Sequence, residues 1–157
     1  MKNIKLTIEL VPRTAWFTNL RSEVTKDEWD EIRRNAYKKA NYRCEICSGI
    51  GSKWPVECHE IWRYDDRTNI QKLVGTVALC PNCHMVKHIG LAGIRGLRTD
   101  AIAHLQLVNG WDIDKTEKYV RDAFAVWHVR SNYKWSLDVA WLKENFTWGW
   151  KYHGKEK

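Results

Sequence analysis

The chain has 157 residues, of which 44% are hydrophobic, and its formal net charge is +7. This length and composition exclude a disordered chain and predict a single domain, residues 1–157, with a core of its own. No apolar run is long enough to cross a bilayer, and the N-terminus lacks a signal-peptide pattern. The sequence therefore predicts a cytoplasmic protein without a membrane partner.

The N-terminal part, residues 1–39, is predicted to contain one strand and one helix. Residues 4–10 alternate between apolar and polar side chains with a period of two, which is typical of a short strand. Thr25 and Glu28 form a capping-box pattern. This pattern predicts a helix from about residue 26 to residue 40.

The rest of the chain is predicted to form a β-hairpin followed by helices. The hairpin arms lie at 54–64 and 70–79, and Pro81 suits the first turn of a short helix. The Trp-rich region 93–150 is predicted to be helical, and its tryptophans recur at a spacing that indicates core packing rather than function. Its candidate helices cover 99–108, 115–130 and 137–145.

Four of the five cysteines form two Cys-x-x-Cys pairs, Cys44 with Cys47 and Cys80 with Cys83. A single pair would also be compatible with a redox dithiol. Two pairs supply the four thiolates of a closed, tetrahedral Zn²⁺ site, which stabilises a fold and has no open position for chemistry. The sequence therefore predicts one structural zinc ion.

Three histidines are placed so that they can meet at a second metal. In the stretch VECHEIWRY, alternation along a strand puts Cys58 and Glu60 on one side and His59 on the other. His84 and His88 are four residues apart on the helix that follows, and therefore share a helix face. Other histidines, such as His104, are interpreted as structural or simply exposed.

These residues resemble the HNH (His-Me finger) endonucleases that carry embedded zinc knuckles. The similarity extends over about residues 40–92 and includes both Cys-x-x-Cys pairs, the strand VECHEI and the stretch LCPNCH with the later His88. The resemblance implies an α+β fold: a ββα-metal core, held together by the four-cysteine zinc site and flanked by helices.

The resemblance also implies roles for single residues. His59 would be the metal ligand on the strand, and His84 and His88 would be the ligands on the helix, so that His59, His84 and Glu60 belong to the catalytic site. The second metal would be a divalent ion: Mg²⁺, Mn²⁺, Ni²⁺ or Zn²⁺. Glu60 occupies the position where most relatives have the general-base histidine; in an alternative alignment Cys58 and His59 correspond to Asp-His, and His59 is the base.

A second departure from the family concerns its central asparagine. Gly75 stands where that residue is expected, nine positions before the first helix histidine. Asn69 could replace it if the loop is longer. Asp65 and Asp66, at the tip of the hairpin, could approach the metal or only solvate the turn.

A basic window suggests the partner. From Arg67 to Thr99 there is no acidic residue, and Lys87, Arg95 and Arg98 lie inside this window. These three residues are predicted to contact the phosphates of a nucleic acid, with DNA favoured. The predicted activity is metal-dependent phosphodiester hydrolysis; the alternatives are a non-catalytic, zinc-containing nucleic-acid-binding domain and a regulatory protein that uses its Trp-rich helices as an interface.

Overall fold

A computed structural model of the chain describes residues 3–152. The strands are β1 (Glu57–Asp65), β2 (Ile70–Leu79) and β3 (Ser136–Asp138). The helices are α1 (Leu20–Glu23), α2 (Lys26–Lys39), α3 (Pro81–Lys87), α4 (Ile89–Ile94), α5 (Arg98–Asn109), α6 (Ile113–Arg130) and α7 (Trp141–Asn145), with 3₁₀ turns at Arg13–Ala15 and Thr147–Lys151. The prediction of an α+β fold with a β-hairpin, a following helix and flanking helices is confirmed.

The sheet is built on the hairpin. β1 and β2 are antiparallel, with His59 opposite Val77, and an irregularity in the pairing falls between Ile61 and Trp62. β3 pairs in parallel with the first residues of β2, so the strand order is β1-β2-β3. Because β2 lies in the middle, β1 is an edge strand with one side free of strand pairing.

Helix boundaries follow local signals in the sequence. The Thr25 side chain accepts a hydrogen bond from the Glu28 amide, and the Glu28 carboxylate accepts one from the Thr25 amide, so the predicted capping box opens α2. α5 ends at Gly110, whose φ of 66° lies in the left-handed region that glycine adopts without strain. Among residues 3–152, no helix has the length and apolarity that a membrane span requires.

The strand predicted at residues 4–10 does not form. Its backbone groups bond to helices instead: the Asn109 side chain accepts from the Leu6 amide at 3.1 Å, and the Tyr119 hydroxyl accepts from the Ile8 amide at 3.1 Å. The Glu9 amide donates to the Lys87 carbonyl at 3.1 Å. The period-two alternation therefore indicates a half-buried extended segment here. Side chains from α5 and α6 accept the hydrogen bonds of its amides that a neighbouring strand would otherwise accept.

The predicted helix at 137–145 includes residues that form a strand instead. Residues 136–138 pair with β2 as β3, and α7 begins only at Trp141. Residues 153–157 lie outside the described residues.

Two hydrophobic clusters hold these elements together. The first surrounds the cysteine pairs and joins the N-terminal segment to α3, α5 and α6 through residues such as Leu6, Val86 and Leu105. The second lies between α2, the hairpin and α7. Trp29, Trp62, Trp141 and Trp148 pack against the second cluster, and for Trp141 and Trp148 this is the core packing predicted for the Trp-rich region.

Candidate metal centres

The four paired cysteines converge at the start of α3. Cys80 is the N-cap of α3 and Cys83 lies in its first turn, while Cys44 and Cys47 come from the turn that follows α2. The four Sγ atoms all lie within 4.8 Å of one another, and those of Cys47 and Cys80 are 3.6 Å apart. Sulfurs around a tetrahedral Zn²⁺ with Zn–S bonds of about 2.3 Å lie about 3.8 Å apart, so the cluster fits a zinc ion.

The hydrogen bonds in the cluster favour the thiolate form of Cys44, whereas burial raises the pKa of Cys80, and the hydrogen bond to Cys44 together with burial raises the pKa of Cys83. The Cys83 thiol donates to Cys44 and lowers the pKa of that thiol to about 4, with backbone amides adding to the effect. The amides of Gly49 and Cys83 donate to the sulfurs of Cys47 and Cys80, each at 3.4 Å. These turns therefore present donors to sulfur atoms, as a metal-binding knuckle requires.

A histidine on α5 lies behind this cluster. His104 Nε2 is 3.1 Å from Cys83 Sγ. Burial lowers the pKa of His104, so the ring is neutral at pH 7 and can donate its one N–H to the sulfur. This contact is a structural role, one of the two interpretations given for His104, and no local pattern indicates it because Cys83 is 21 positions away.

The three predicted histidines meet at a second centre. His59 extends from β1, and His84 and His88 extend from α3 and its C-terminal end. Their ring centroids are 5.2, 5.1 and 4.9 Å apart, and one nitrogen of each ring lies within 4.8 Å of the others. The arrangement can hold one metal ion on three imidazoles.

The protonation state of His84 and His88 suits metal binding. Burial lowers the pKa of His84, and burial together with the neighbouring His84 and His59 lowers the pKa of His88 to about 3. Neutral imidazole is the form that binds metals. His59 is only 4% exposed, so the centre is formed from buried or half-buried rings.

Two carboxylates orient the rings. Glu57 Oε2 lies 2.5 Å from His84 Nδ1, and a carboxylate oxygen of Glu9 contacts His59 Nε2. Each contact assigns one ring nitrogen to a carboxylate and leaves the opposite nitrogen for a metal, which is the usual outer arrangement of histidine ligands. Glu57 is two positions from His59 on β1, a spacing that could have indicated it; Glu9 is 50 positions away and gives no local signal.

The environment of Lys87 does not suit the phosphate contact that the sequence predicts. Its side chain is buried, the residue being 5% exposed, and Nζ donates to Thr7 Oγ1 at 2.7 Å and to Glu9 Oε1 at 3.1 Å. The ammonium compensates the charge of the half-buried Glu9, which in turn contacts His59. Lys87 therefore supports the histidine centre, and its ammonium is engaged with Thr7 and Glu9 rather than presented to a phosphate.

Glu60 lies beside the histidine centre but outside it. Trp62 Nε1 donates to Glu60 Oε2 at 3.1 Å, and burial raises the pKa of the carboxyl group. Cys58 lies on the same side of β1: burial, followed by the charge of Glu60, raises the pKa of its thiol to about 12. Cys58 belongs to neither cluster of potential ligands among the described residues.

The hairpin tip is remote from both centres. Asp65 accepts hydrogen bonds from the Arg67 and Thr68 amides, and Asp66 pairs with Arg130. Asn69 lies in the same turn, eight residues along β2 from the level of His59, which corresponds to about 25 Å. Gly75 pairs with Ile61 at the irregularity. Neither asparagine candidate position therefore supplies an amide to the histidines.

The histidine centre opens into a groove of about 900 Å³ that also contains Glu60. Most of the other lining is aromatic or aliphatic: Trp16, Trp29, Tyr37, Trp54, Trp62, Leu91, Phe124 and Trp127. Of the two remaining predicted phosphate ligands, Arg95 is exposed and Arg98 forms two hydrogen bonds to Glu117, at 3.2 and 2.8 Å.

Comparison of the chain with protein-family models, with curated proteins and with solved structures finds no match. The resemblance to HNH endonucleases therefore rests on the hairpin, the helix after it and the residues they carry. What the chain has is a four-cysteine cluster that fits zinc and a three-histidine cluster that can hold a second metal.

Proposed function

We propose that the protein is a metal-dependent nuclease of the HNH type, which hydrolyses phosphodiester bonds in nucleic acid, with DNA as the substrate. The observation that carries this proposal is the convergence of His59, His84 and His88 in one groove. A fold that needed only a structural zinc would have no use for three imidazoles placed beside one another, two of them oriented by carboxylates.

The chemical type of the ligand atoms favours some metal ions over others. His59, His84 and His88 would hold the ion, and nitrogen ligands suit Zn²⁺ or Ni²⁺ better than Mg²⁺ or Mn²⁺. A divalent ion bound there supplies Lewis-acid polarisation of the phosphate and stabilises charge on the leaving oxygen. Glu57 and Glu9 keep the rings in fixed tautomers, since each carboxylate accepts the N–H of the ring nitrogen that it contacts.

Glu60 is our first candidate for the general base. Its burial raises the pKa of the carboxyl group, which makes the carboxylate a better proton acceptor than a solvated glutamate. Trp62 donates to Oε2, so Oε1 is the atom that would take a proton from the attacking water. In the alternative, His59 is the base and takes the proton on Nδ1, because Glu9 contacts Nε2.

The test is plasmid nicking with and without added Mg²⁺, Mn²⁺, Ni²⁺ or Zn²⁺, combined with three variants. His88→Ala should abolish cleavage and leave the fold and the first zinc intact, because the cysteine cluster is elsewhere. Glu60→Gln should also abolish cleavage, since an amide keeps the shape of the side chain and cannot accept a proton. A cleaving Glu60→Gln enzyme beside an inactive His59→Ala enzyme would make His59 the base.

The matched control is His128→Ala, which removes an exposed histidine of α6 outside both clusters and should cut normally. Folding of each variant is followed by circular dichroism and by zinc content. Unchanged cleavage by His88→Ala would contradict the proposed metal centre.

A non-catalytic nucleic-acid-binding domain is the second candidate. It is favoured by the hydrogen bond that holds Glu60 to Trp62 and by the distance of Asn69 from the histidines. Binding of nucleic acid by the wild-type protein without cleavage under any of the four metals would support this candidate over the nuclease.

A further inference from the structure

Two indole rings at the histidine groove are exposed and yet held in place. Trp16 is 50% exposed and Trp54 is 52% exposed. Trp16 Nε1 donates to the Val11 carbonyl at 2.8 Å, and Trp54 Nε1 donates to Glu57 Oε1 at 2.9 Å. Ordering a large aromatic ring in the free protein removes part of the entropic cost of binding a flat ligand. The two rings are therefore preorganised for stacking against a flat ligand.

Trp54 contacts a carboxylate that also contacts His84, and Trp16 lines the same groove as the three histidines of the centre that we propose to be catalytic. The Glu57 carboxylate receives the Trp54 indole on Oε1 and contacts His84 through Oε2. Trp16 stacks on Trp127 with ring centroids 6.3 Å apart and an interplanar angle of 24°. Both rings of this stack line the groove that contains the three histidines.

Two guanidinium groups lie over two other aromatic rings of the groove, those of Trp127 and Trp29; Arg21 itself lines the groove. The Arg13 guanidinium is 4.5 Å from the centroid of the Trp127 ring, and the Arg21 guanidinium is 4.7 Å from that of Trp29. Both arginines are exposed, and neither forms a salt bridge with another residue in the range 3–152. Stacked arginines keep their N–H groups available for phosphate oxygens.

We propose that this groove binds an unpaired stretch of nucleic acid, with bases stacked on Trp16 and Trp54 and phosphates held by Arg13 and Arg21. The proposal rests on the proposed function and specifies its substrate form: single-stranded or locally unpaired nucleic acid, rather than intact duplex. In a duplex both faces of each base are covered by its neighbours, whereas an unpaired base offers a face to an aromatic side chain.

The size and chemistry of the groove agree with this occupant. A volume of about 900 Å³ is at the upper end of the range for small-ligand pockets, and suits a short nucleotide segment better than one small molecule. A duplex would make its contacts mainly through phosphates and would gain little from rigid indole faces. The combination of flat apolar rings with unpaired guanidinium groups is the one that single-strand binders use.

The experiment measures binding by fluorescence anisotropy, without added divalent metal, to three probes of equal length: oligothymidylate, an abasic oligonucleotide and a duplex. The wild-type protein should prefer oligothymidylate to both others. Trp16→Ala and Trp54→Ala should each weaken oligothymidylate binding roughly fivefold to a hundredfold, and should change binding of the abasic probe little. Gel analysis afterwards confirms that the probes are intact.

Two further variants separate stacking from structure. Trp150→Ala removes a tryptophan that is 65% exposed but is not among the groove-lining residues, and should leave all three affinities unchanged. Trp54→Phe loses the hydrogen bond to Glu57 but keeps a ring, so it should retain most of the oligothymidylate affinity that Trp54→Ala loses.

The outcomes distinguish this proposal from the nuclease itself. Equal affinity of the wild-type protein for the abasic probe and oligothymidylate would overturn the stacking proposal, and so would unchanged binding by both alanine variants. Metal-dependent cutting of duplex without a preference for unpaired DNA overturns it while leaving the nuclease intact. If the protein shows the predicted binding pattern but cleaves no nucleic acid, the proposed binding of unpaired strands is supported and the proposed nuclease activity is contradicted.

Discussion

At the scale of single residues, each candidate metal centre depends on side chains that are not themselves ligands. Glu57 and Glu9 contact two of the three histidines, and His104 contacts the sulfur of Cys83. Such outer contacts fix the orientation of a ligand and tune its affinity for the metal, and their loss typically lowers metal affinity by about 10–100-fold. They therefore offer substitutions that change metal binding without removing a ligand.

His104 gives the first such prediction. His104→Ala removes an N–H donor from the Cys83 sulfur, leaving more negative charge uncompensated on the four-thiolate cluster. We expect zinc to be lost to a competing chelator roughly tenfold to a hundredfold faster than from the wild-type protein. The release is measured by the absorbance of the zinc complex of pyridylazoresorcinol.

The control for that measurement is His128→Ala, which removes a histidine outside the cysteine cluster. Its zinc should leave at the wild-type rate. Equal rates for all three proteins would show that the 3.1 Å contact between His104 and Cys83 does not affect the metal.

At the scale of the elements, the start of α2 is joined to the C-terminal 3₁₀ turn through Glu28. Its carboxylate accepts hydrogen bonds from the Thr25 amide at 2.9 Å and from the Tyr152 hydroxyl at 2.5 Å, and it pairs with Lys151. Burial alone would raise the pKa of Glu28, but these hydrogen bonds together lower it to about 2. The charged form is therefore the one that the folded protein stabilises.

This shift sets a pH dependence. Because the pKa of Glu28 is lower in the folded than in the unfolded chain, its contribution to stability is complete above about pH 4.5 and is lost as the pH falls towards 2. Glu28→Gln should lower the free energy of unfolding at pH 7 by about 1.5–3 kcal/mol, the usual contribution of hydrogen bonds to a charged group. The difference between the two proteins should shrink between pH 4.5 and pH 2, as measured by urea unfolding.

The comparison between variants matters because zinc thiolates also take up protons in acid. Wild-type protein and Glu28→Gln lose zinc alike, so the difference between them isolates Glu28. Asp27→Asn, a change in the same helical turn, is the control and should alter stability little. A constant difference between wild type and Glu28→Gln across this pH range would contradict the assignment.

α3 depends on the cysteine cluster. A helix of seven residues is too short to be stable by itself, so its position must come from tertiary contacts and from the metal. Cys80→Ser removes one of the four zinc-binding thiolates, while the serine hydroxyl can still accept the hydrogen bond from the Cys83 amide. We expect insoluble or unfolded protein, measured by soluble yield, circular dichroism and zinc content.

Cys58→Ser is the matched control for that experiment, because Cys58 lies outside the four-cysteine cluster. It should give folded protein with one equivalent of zinc. A soluble, natively folded and zinc-free Cys80→Ser protein would show that the cluster does not hold the fold together.

Local patterns in the sequence account for much of this arrangement. The capping residues of α2, the Cys-x-x-Cys pairs and the i, i+4 spacing of His84 and His88 are short-range features, and the structure places them as their spacing predicts. The hairpin also follows from composition, because β-branched and apolar residues occupy both arms. These features could be predicted because neighbours in the chain determine them.

The remaining features depend on distant partners. The segment at 4–10 alternates like a strand, but side chains of α5 and α6 take its hydrogen bonds. Lys87 has the sequence context of a surface cation, and only the fold reveals that Glu9, 78 positions away, neutralises it in a buried site. The sequence alone does not show which distant residues are in contact. The same pattern is therefore compatible with a strand or an unpaired extended segment at 4–10, and with an exposed or a buried Lys87.

At the scale of the whole molecule, the net charge of +7 favours association with a polyanion. Arg95 is an exposed cation, and Arg98 is exposed but engaged with Glu117, so a phosphate would have to replace that ion pair. The double variant Arg95→Ala, Arg98→Ala should weaken binding about evenly across sequences. It should reduce the slope of log affinity against log salt by up to about one unit for each lost phosphate contact.

That slope is measured by fluorescence anisotropy across a series of salt concentrations. The control is the double variant Lys26→Ala, Lys39→Ala, which removes the same charge from the two ends of α2, outside the basic window. If both double variants shift the slope equally, only net charge matters and no local phosphate contact exists at Arg95 and Arg98.

The adjacency of Cys83 and His84 on α3 has a consequence for the order in which the chain matures. A single step along the backbone separates a sulfur of one cluster from an imidazole of the other, so a zinc ion held by the thiolates would also fix the position of His84. We therefore expect occupation of the two centres to be sequential, with the cysteine cluster first and the histidine cluster second. Zinc supply in the cell would thus determine how much of the newly made protein can bind a metal ion at the histidine centre, whichever ion that centre uses.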